Sequence, residues 1–196
     1  THNWMWGILV SKEKQVKTGS DAASPAAWLS PITANGYSTG AGCLPCVSKL
    51  LYDKIPATDA RKNWWLNENL ESAILDKITW NGKSGVELAK LKILEGTDVL
   101  KEPFLPYSSM KFGSKGAPGT TINDSDWPLM RVEEMYLIAA EGYAKSGQEA
   151  KAKQILEDFV KTYRDPSYTV TGKGLSLADE IWFQRRVELW GEGFSV

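Results

Sequence analysis

The C-terminal part of the chain has a hydrophobic pattern with the period of an α-helix. Apolar residues recur at helical spacing over residues 129–143 and again over residues 152–163. Asp126 is predicted to cap the first helix, with Pro128 in its first turn, and Gly147 is predicted to end it. Because only a short turn separates the two helices, they are expected to pack against each other as an antiparallel hairpin.

A third helix is predicted to begin at Ser176, because Asp179 follows it at the spacing of a capping box. Apolar residues lie on nearly all sides of this helix, so we expect it to be buried, with Trp182 and Trp190 in the core. The preceding hairpin is similar to one tetratricopeptide-like repeat, and such stacks need about three repeats to close a core. The pattern therefore predicts a mainly α fold and indicates that the chain is a piece of a longer protein.

The first 125 residues are dominated by turn-forming residues instead. Gly, Pro, Asn and Ser crowd residues 19–42, and further loose stretches surround residues 81–82 and 103–119. Long glycine-rich loops often carry function in compact proteins. We therefore divide the chain into a loop-rich ligand-binding lobe, residues 1–125, and a C-terminal helical part, residues 126–196, both within one domain.

A few regular elements are predicted within the loop-rich part. Residues 4–10 have the pattern of a buried strand, in which Trp4 and Trp6 share one face and are expected in the core. Short helices are predicted over residues 46–54 and 87–94.

Composition and charge narrow the class of protein. The chain has 23 basic and 24 acidic side chains, and this near-neutral balance argues against nucleic-acid binding, which requires a basic surface. Its single histidine, His2, nearly excludes a Ser-His-Asp triad or a histidine-based metal site within this segment. No run reaches the roughly 20 apolar residues that a membrane helix needs, and no secretion signal is visible.

Two groups of residues raise the question of catalysis. Cys43 and Cys46 form a C-x-x-C pair without a thioredoxin-like pattern or a second pair, so a disulfide or two free thiols fits better than redox chemistry or metal binding. Glu188 and Glu192 share a helix face with Arg185 nearby, which favours ion pairing over a paired acid and base. A hydrolase with paired carboxylates stays open as an alternative.

The nine tryptophans indicate a surface that grips a ligand. An indole ring stacks on the flat C–H face of a sugar, while Asn, Asp and Arg side chains bind its hydroxyl groups. Most of these tryptophans lie in predicted core elements, but Trp28 lies in the turn-rich stretch near Asn35 and Tyr37, and Trp80 lies beside a turn. The predicted ligand-binding residues are therefore Trp28, Asn35, Tyr37 and Trp80, and we expect no catalytic residue, no bound metal and no cofactor.

Two segments of the helical part carry a recognisable order of residue types. Residues 131–142 have an arginine, an acidic pair, an aliphatic run and Ala-Glu-Gly, and residues 181–193 contain Gln-Arg-Arg-Val-Glu-Leu-Trp-Gly-Glu-Gly. Both resemble signatures of the SusD/RagB family, in which Gly142 is usually alanine and Gln184 is usually glutamate. Weaker similarities occur in the family's order at residues 5–8, 51–54, 58–61 and 107–112.

The resemblance implies an α-rich fold of tetratricopeptide-like helices packed against an irregular, loop-rich ligand-binding lobe. It further implies a surface-exposed lipoprotein of the outer membrane of Bacteroidota. Such a protein binds oligosaccharides without an enzymatic step and delivers them to a SusC-like TonB-dependent transporter. The family's secretion signal and lipid-anchored cysteine lie in an N-terminal half that this chain lacks, so membrane contact is expected only through that anchor.

Under this hypothesis, the charged residues of the two signatures lock the helices together and perform no chemistry. These residues are Arg131, Glu134, Glu141, Arg185, Glu188 and Glu192. Two other hypotheses stay open, namely a RagB-type protein that binds peptides or proteins, and a helical-repeat scaffold that binds only protein partners. The residues do not separate them, because the loops carry no transferable ligand motif.

Overall fold

The computed structural model describes residues 4–8, 45–80, 82–90, 104–111, 127–172 and 174–193. In chain order, its elements are β1 (Trp4–Ile8), α1 (Lys49–Lys54), β2 (Thr79–Trp80), β3 (Lys83–Ser84), α2 (Gly85–Lys90), β4 (Trp127–Arg131), α3 (Val132–Lys145), α4 (Glu149–Tyr163) and α5 (Leu177–Glu188). Short 3-10 helices cover Ala60–Trp64 and Leu75–Lys77. The predicted mainly α fold is confirmed.

Contacts divide the chain into two compact units. The first, which we call the helical unit, combines Thr1–Gly7, Ile55–Arg61 and Pro128–Val196. The second unit combines Ile8–Lys54 and Lys62–Trp127. The division into a ligand-binding part and a helical part near residue 125 concerns function, and it stays a prediction.

The helical unit is built around the hairpin of α3 and α4. Leu137 and Ala140 on α3 share a buried cluster with Leu156 and Phe159 on α4. The ring of Tyr136 stacks on that of Phe159, with centroids 5.4 Å apart and an angle of 9° between the planes. Burial of these apolar faces, at about 25 cal/mol per Å² of area removed from water, supplies most of the stability of such a hairpin.

The turn between α3 and α4 has the geometry that its sequence predicts. Ser146 is the C-cap of α3, and Gly147 follows with a φ of +78°. The Gly147 amide donates to the carbonyl of Ala144 at 3.1 Å, which satisfies one of the open carbonyls at the end of the helix. The predicted end of the helix at Gly147 is therefore confirmed.

Helix α5 packs on α3 and begins at the predicted residue. Ser176 is the N-cap, and its hydroxyl oxygen accepts from the Asp179 amide at 3.1 Å. The Ser176 hydroxyl in turn donates to the Asp179 carboxylate at 2.6 Å, so the two residues satisfy each other. Ile181 on α5 and Leu189, which follows it, are buried in the core of the helical unit.

The predicted start of the first long helix is wrong. Residues 127–131 form strand β4, which is hydrogen-bonded to β1, and the helix begins only at Val132, with Arg131 as its N-cap. Arg131 has the extended dihedrals φ −118° and ψ 149°. Pro128 is compatible with this strand because a proline can occupy a strand position where no N–H donor is needed.

Two tryptophan predictions are also wrong. Trp6 was expected in the core, but 63% of it is exposed, and the neighbouring Met5 is exposed as well. A two-stranded ribbon such as β1–β4 has two faces to cover, and apolar composition alone does not bury both of them. Trp182 was expected in the core of α5, but it is 50% exposed, because the buried side of α5 is formed by Ile181, Gln184 and Glu188.

The second unit has its own core and little regular structure. Its buried cluster consists of Leu66, Leu75, Leu88, Ala89, Phe104 and Met110. Ser108 and Ser109 form isolated β-bridges, Ser108 to Cys46 and Ser109 to Trp65. Trp65 is fully buried, as expected for one member of the Trp64-Trp65 pair.

The remaining elements of the second unit are short. The helices predicted over 46–54 and 87–94 appear as α1 and α2, which are shorter or begin earlier in the chain than predicted. Strands β2 and β3 are antiparallel, with Trp80 opposite Lys83, so that two residues connect them and Gly82 has a φ of +71°. None of the helices in the described residues is long and apolar enough to cross a membrane.

Candidate functional site

The predicted ligand-binding residues fall mostly where the structure gives no description. Trp28, Asn35 and Tyr37 lie outside the described residues. Trp80 ends strand β2, and its backbone is described but its side chain is not. The predicted saccharide site therefore stays a prediction, and the geometry that follows concerns the charged residues of the helical unit and the aromatic residues of the second unit.

The carboxylate of Glu188, near the end of α5, is the centre of a buried charge cluster. Arg164 donates to both of its oxygens, through Nε and Nη2, at 2.9 Å each. Arg131 Nη1 donates to Oε1 at 3.2 Å, and Arg61 Nη1 donates to Oε2 at 3.4 Å. The side chain of Glu188 is fully buried, so three guanidinium groups replace the water that this carboxylate has lost.

Each of these arginines also contacts a second carboxylate. Arg61 donates to Asp59 at 2.6 Å, and Arg131 reaches Glu192 at 2.7 Å. Arg164 contacts Glu133 at 3.0 Å. We call the whole set the Glu188 cluster; its members are Asp59, Arg61, Arg131, Glu133, Arg164, Glu188 and Glu192. Its positive and negative charges nearly balance, as burial requires.

The cluster joins the ends of several elements of the helical unit. Arg131 precedes α3, Arg164 follows α4, and Glu188 ends α5. Arg61 comes from the 3-10 helix at Ala60–Trp64, and Asp59 directly precedes that helix. Because one carboxylate binds all three arginines, the cluster fixes the positions of three helix ends relative to one another.

A second layer of polar side chains continues the cluster along α5. Arg61 Nη2 donates to the amide oxygen of Gln184 at 2.5 Å, and Gln184 Nε2 donates to Glu180 at 2.9 Å. The Tyr168 hydroxyl donates to the same Glu180 oxygen at 2.7 Å. Burial and the hydrogen bond to Glu180 raise the pKa of the Tyr168 phenol, which therefore stays protonated as a donor.

The six charged residues predicted to pair do not form one network. Arg131, Glu188 and Glu192 meet in the Glu188 cluster. Arg185 instead lies 3.7 Å from Glu134. Glu141 accepts from Lys145 at 2.5 Å, on the exposed side of α3.

Sequence reasoning missed four members of the Glu188 cluster, namely Asp59, Arg61, Glu133 and Arg164, and it missed Gln184 as the residue that extends the cluster. Two of them lie in the Asp-x-Arg segment of residues 58–61, which was noted only as a similarity. Arg164 directly follows α4 and carries no periodic signal. Arg61 and Glu188 are 127 positions apart, so no local pattern predicts that they meet.

The electrostatics of the cluster do not suit acid–base chemistry. Burial raises the pKa of Glu188, but Arg164, Arg61 and Arg131 outweigh this effect and lower it to about 2. A carboxylate with such a pKa holds no proton to donate near neutral pH, and it is a weak base. The geometry is that of a structural ion cluster.

The described residues contain one cysteine and no evident metal site. No group of three or more His, Cys, Asp or Glu side chains in the described ranges is arranged to hold a metal. Cys46 is a free thiol 3.7 Å from the Ser108 hydroxyl, and burial raises its pKa, which lowers its reactivity. Cys43, the other half of the C-x-x-C pair, lies outside the described residues.

Aromatic rings of the second unit are covered by lysine side chains. The ammonium groups of Lys62 and Lys111 each lie 4.8 Å from a ring centroid, that of Tyr52 and that of Trp64 respectively. Tyr52 also packs against Tyr107, at 5.2 Å between centroids, and Tyr107 has the unusual φ of +68°. These rings belong to the second unit, and the sequence did not select them as ligand-binding residues.

Comparison with known proteins identifies the family of the chain. The sequence profile of the SusD family matches residues 98–196, and the chain belongs to that family. A solved SusD-like carbohydrate binding protein from Bacteroides vulgatus ATCC 8482 is similar to it, with 25% sequence identity, a TM-score of 0.61, and coverage of 98% of this chain and 33% of that one. The chain thus spans about a third of the length of that relative.

A second solved structure from the same organism is similar over a shorter stretch. It is described as a "Putative sugar binding protein", and it shares 35% identity with this chain at a TM-score of 0.35, covering 44% of this chain and 19% of that one. No curated protein matches the chain.

Proposed function

We propose that the protein binds oligosaccharide nutrients at the bacterial cell surface, without an enzymatic step. The observation that carries the proposal is membership of the SusD family through residues 98–196. It is supported by similarity, over 98% of the chain, to a solved protein described as SusD-like and carbohydrate binding.

The geometry of the helical unit is consistent with a binding role. Glu188 and its arginines lock helix ends together and leave no carboxylate pair poised for hydrolysis within the cluster. The ligand contacts belong to the loops, where Trp28 stacks on a sugar ring and Asn35 and Tyr37 bind hydroxyl groups. Trp80, beside the β2–β3 turn, is the fourth ligand contact of the proposal.

The proposal includes a place of action and a partner. The protein is a surface-exposed lipoprotein of the outer membrane, and it delivers its ligand to a SusC-like TonB-dependent transporter. The test is affinity purification of the full-length, membrane-anchored protein from detergent-solubilised outer membranes of its own source. Recovery of a TonB-dependent transporter in stoichiometric amount supports this part of the proposal, and recovery without any transporter contradicts it.

The saccharide is identified by a titration that uses the tryptophans of the protein as reporters. The full-length protein is titrated with a panel of plant, fungal and host oligosaccharides while tryptophan emission is followed. We expect a saturable change with one class of glycan, because a sugar stacked on an indole alters its surroundings. A flat response from the folded protein to every glycan, with a response to peptides instead, favours the RagB-type alternative.

A further inference from the structure

The helical unit contains a cavity of about 460 Å³ between α3 and α5. Its size lies in the range of about 300–1,000 Å³ that is typical of small-ligand sites. The side chains that line it include Glu141, Lys145, Asp179, Trp182 and Arg185. None of these residues is a member of the Glu188 cluster or one of the predicted ligand-binding residues.

Helix packing explains why the cavity exists. Arg131 before α3 contacts Glu192 after α5, so the two helices run antiparallel, and the C-terminal half of α3 faces the N-terminal half of α5. The facing positions include Ala144 and Ala178, whose methyl groups fill little of the space between the helices. The Glu188 cluster joins the other ends of these two helices, through Arg131 before α3 and Glu188 at the end of α5.

Trp182 gives the cavity an aromatic wall. Half of its surface is exposed, so the ring is accessible to a ligand. The guanidinium group of Arg186 lies 4.5 Å from the centroid of the indole ring. Arg186 does not line the cavity, so the ring is held from one side by this cation and presents another part of its surface to the cavity.

The polar side chains around the indole provide both donors and acceptors. Glu141 and Asp179 offer carboxylate oxygens, while Lys145 and Arg185 offer N–H groups. Each carboxylate already accepts one side-chain hydrogen bond, from Lys145 and from Ser176 respectively, so a ligand would use the remaining lone pairs. The two negative and two positive charges cancel, so the cavity does not select a strongly charged ligand. Hydroxyl groups both donate and accept, and a neutral polyhydroxyl ring matches this mixed lining.

We propose that the cavity between α3 and α5 is a second saccharide subsite, in which a neutral sugar ring stacks on Trp182. Its hydroxyl groups donate to Glu141 and Asp179 and accept from Arg185. The inference rests on the proposed function, because it assumes that the protein meets saccharides, but it assigns them a site on the helical unit.

The test uses the indole N–H signals of the ¹⁵N-labelled full-length protein in two-dimensional NMR spectra. The signal of Trp182 is assigned by its absence in Trp182→Phe, and the protein is titrated with neutral xylo-, malto-, manno- and cello-oligosaccharides. We expect the Trp182 signal to shift and saturate with at least one of them, with a Kd in roughly the millimolar range. Trp182→Ala, followed through the backbone amide signals of residues 178–185, is expected to weaken binding at this site about tenfold or more.

Two further variants test whether the effect on binding is specific to the cavity or comes from a general change in the structure. Trp6→Ala removes another exposed tryptophan, one that does not line the cavity, and it leaves the Trp182 shift unchanged. Glu141→Gln keeps the shape of the side chain but removes the charge of an acceptor, and it weakens the shift.

The outcomes distinguish this inference from the proposed function. If a saccharide shifts other indole signals while that of Trp182 stays in place, the protein binds saccharides but the second subsite is wrong. If no saccharide shifts any indole signal, the proposed function itself fails. If the Trp182 signal moves with protein concentration and not with saccharide, the cavity is a contact between copies of the chain, and the inference is overturned.

Discussion

At the scale of single residues, Glu188 is expected to matter strongly for stability. Its buried carboxylate is the one acceptor that Arg61, Arg131 and Arg164 share, so its removal leaves N–H groups of all three guanidinium groups without that partner. We expect Glu188→Gln to lower the free energy of unfolding by about 3–5 kcal/mol, measured by urea denaturation at neutral pH. Glu149→Gln is the matched control, because Glu149 forms an exposed pair with Lys153 and its loss is expected to cost less than about 1 kcal/mol. Equal losses in the two variants would contradict the assigned role of Glu188.

The same residue makes stability depend on pH in a defined direction. The pKa of Glu188 is lowered from 4.5 to about 2 in the folded protein. Its contribution, roughly 3 kcal/mol, is therefore fully present above pH 4.5 and is lost as the pH falls towards 2. Urea denaturation over this pH range measures the loss.

The Glu188→Gln variant isolates the contribution of Glu188 from that of other carboxylates. Glu141 and Glu157 also have lowered pKa values, through hydrogen bonds from Lys145 and from the Val170 amide, and both remain in the variant. The variant should lose less stability than the parent protein between pH 5 and pH 2. Parallel pH curves for the two proteins would rule out Glu188 as a source of the pH dependence.

Trp28 has the corresponding role in the proposed ligand site. We expect Trp28→Ala to weaken saccharide binding about tenfold or more with little loss of stability, because a stacking residue acts in the complex and not in the core. Titration calorimetry measures the affinity, and urea denaturation measures the stability. Unchanged affinity together with easier unfolding would show that Trp28 belongs to the core.

At the scale of elements, the sequence predicted those helix ends that are set by capping residues, because a cap depends on residues only a few positions apart. Ser176 with Asp179 starts α5, and Gly147 ends α3, as expected from capping chemistry. The start of α3 was predicted too early. Aspartate and proline, the residue types at positions 126 and 128, are common at helix starts but also occur where no helix begins. Pairing of β4 with β1, which is distant in sequence, overrides that local signal.

Two glycines near the end of α3 are expected to respond to substitution in opposite directions. Gly147 has a φ of +78°, so Gly147→Ala is expected to cost about 1–2 kcal/mol. Gly142 lies inside the helix, and an added Cβ there meets nothing within 4 Å, so Gly142→Ala is expected to stabilise the protein by about 0.5–1 kcal/mol. Thermal or urea denaturation of both variants gives the signs, and the same sign in both would contradict the assigned turn geometry.

At the scale of the whole molecule, the sequence predicted the mainly α fold because hydrophobic periodicity is a local property. It predicted ion pairing by Arg131, Glu188 and Glu192, which meet in the Glu188 cluster. It missed Arg61 and Arg164, because they meet Glu188 only through the tertiary fold. The exposure of Trp182 was missed for a related reason. The apolar character of a residue does not tell which side of a helix is covered by the rest of the fold.

The candidate ligand site was the least predictable feature. Trp28, Asn35 and Tyr37 were selected because of residue type and their position in a turn-rich stretch, and neither property fixes a loop conformation. The SusD family membership, through residues 98–196, comes mainly from the helical signatures and therefore supports the fold more directly than it supports a particular saccharide.

The most direct test of the central claim, non-enzymatic saccharide binding, is calorimetric titration of the full-length protein with the oligosaccharide class that changes its tryptophan emission. The ligand is then recovered and analysed by mass spectrometry. If the protein binds the saccharide without cleaving it, the heat of binding saturates and the ligand is recovered intact. Absence of binding heat with every saccharide in the panel, or the appearance of shorter saccharides with new reducing ends, would contradict the claim.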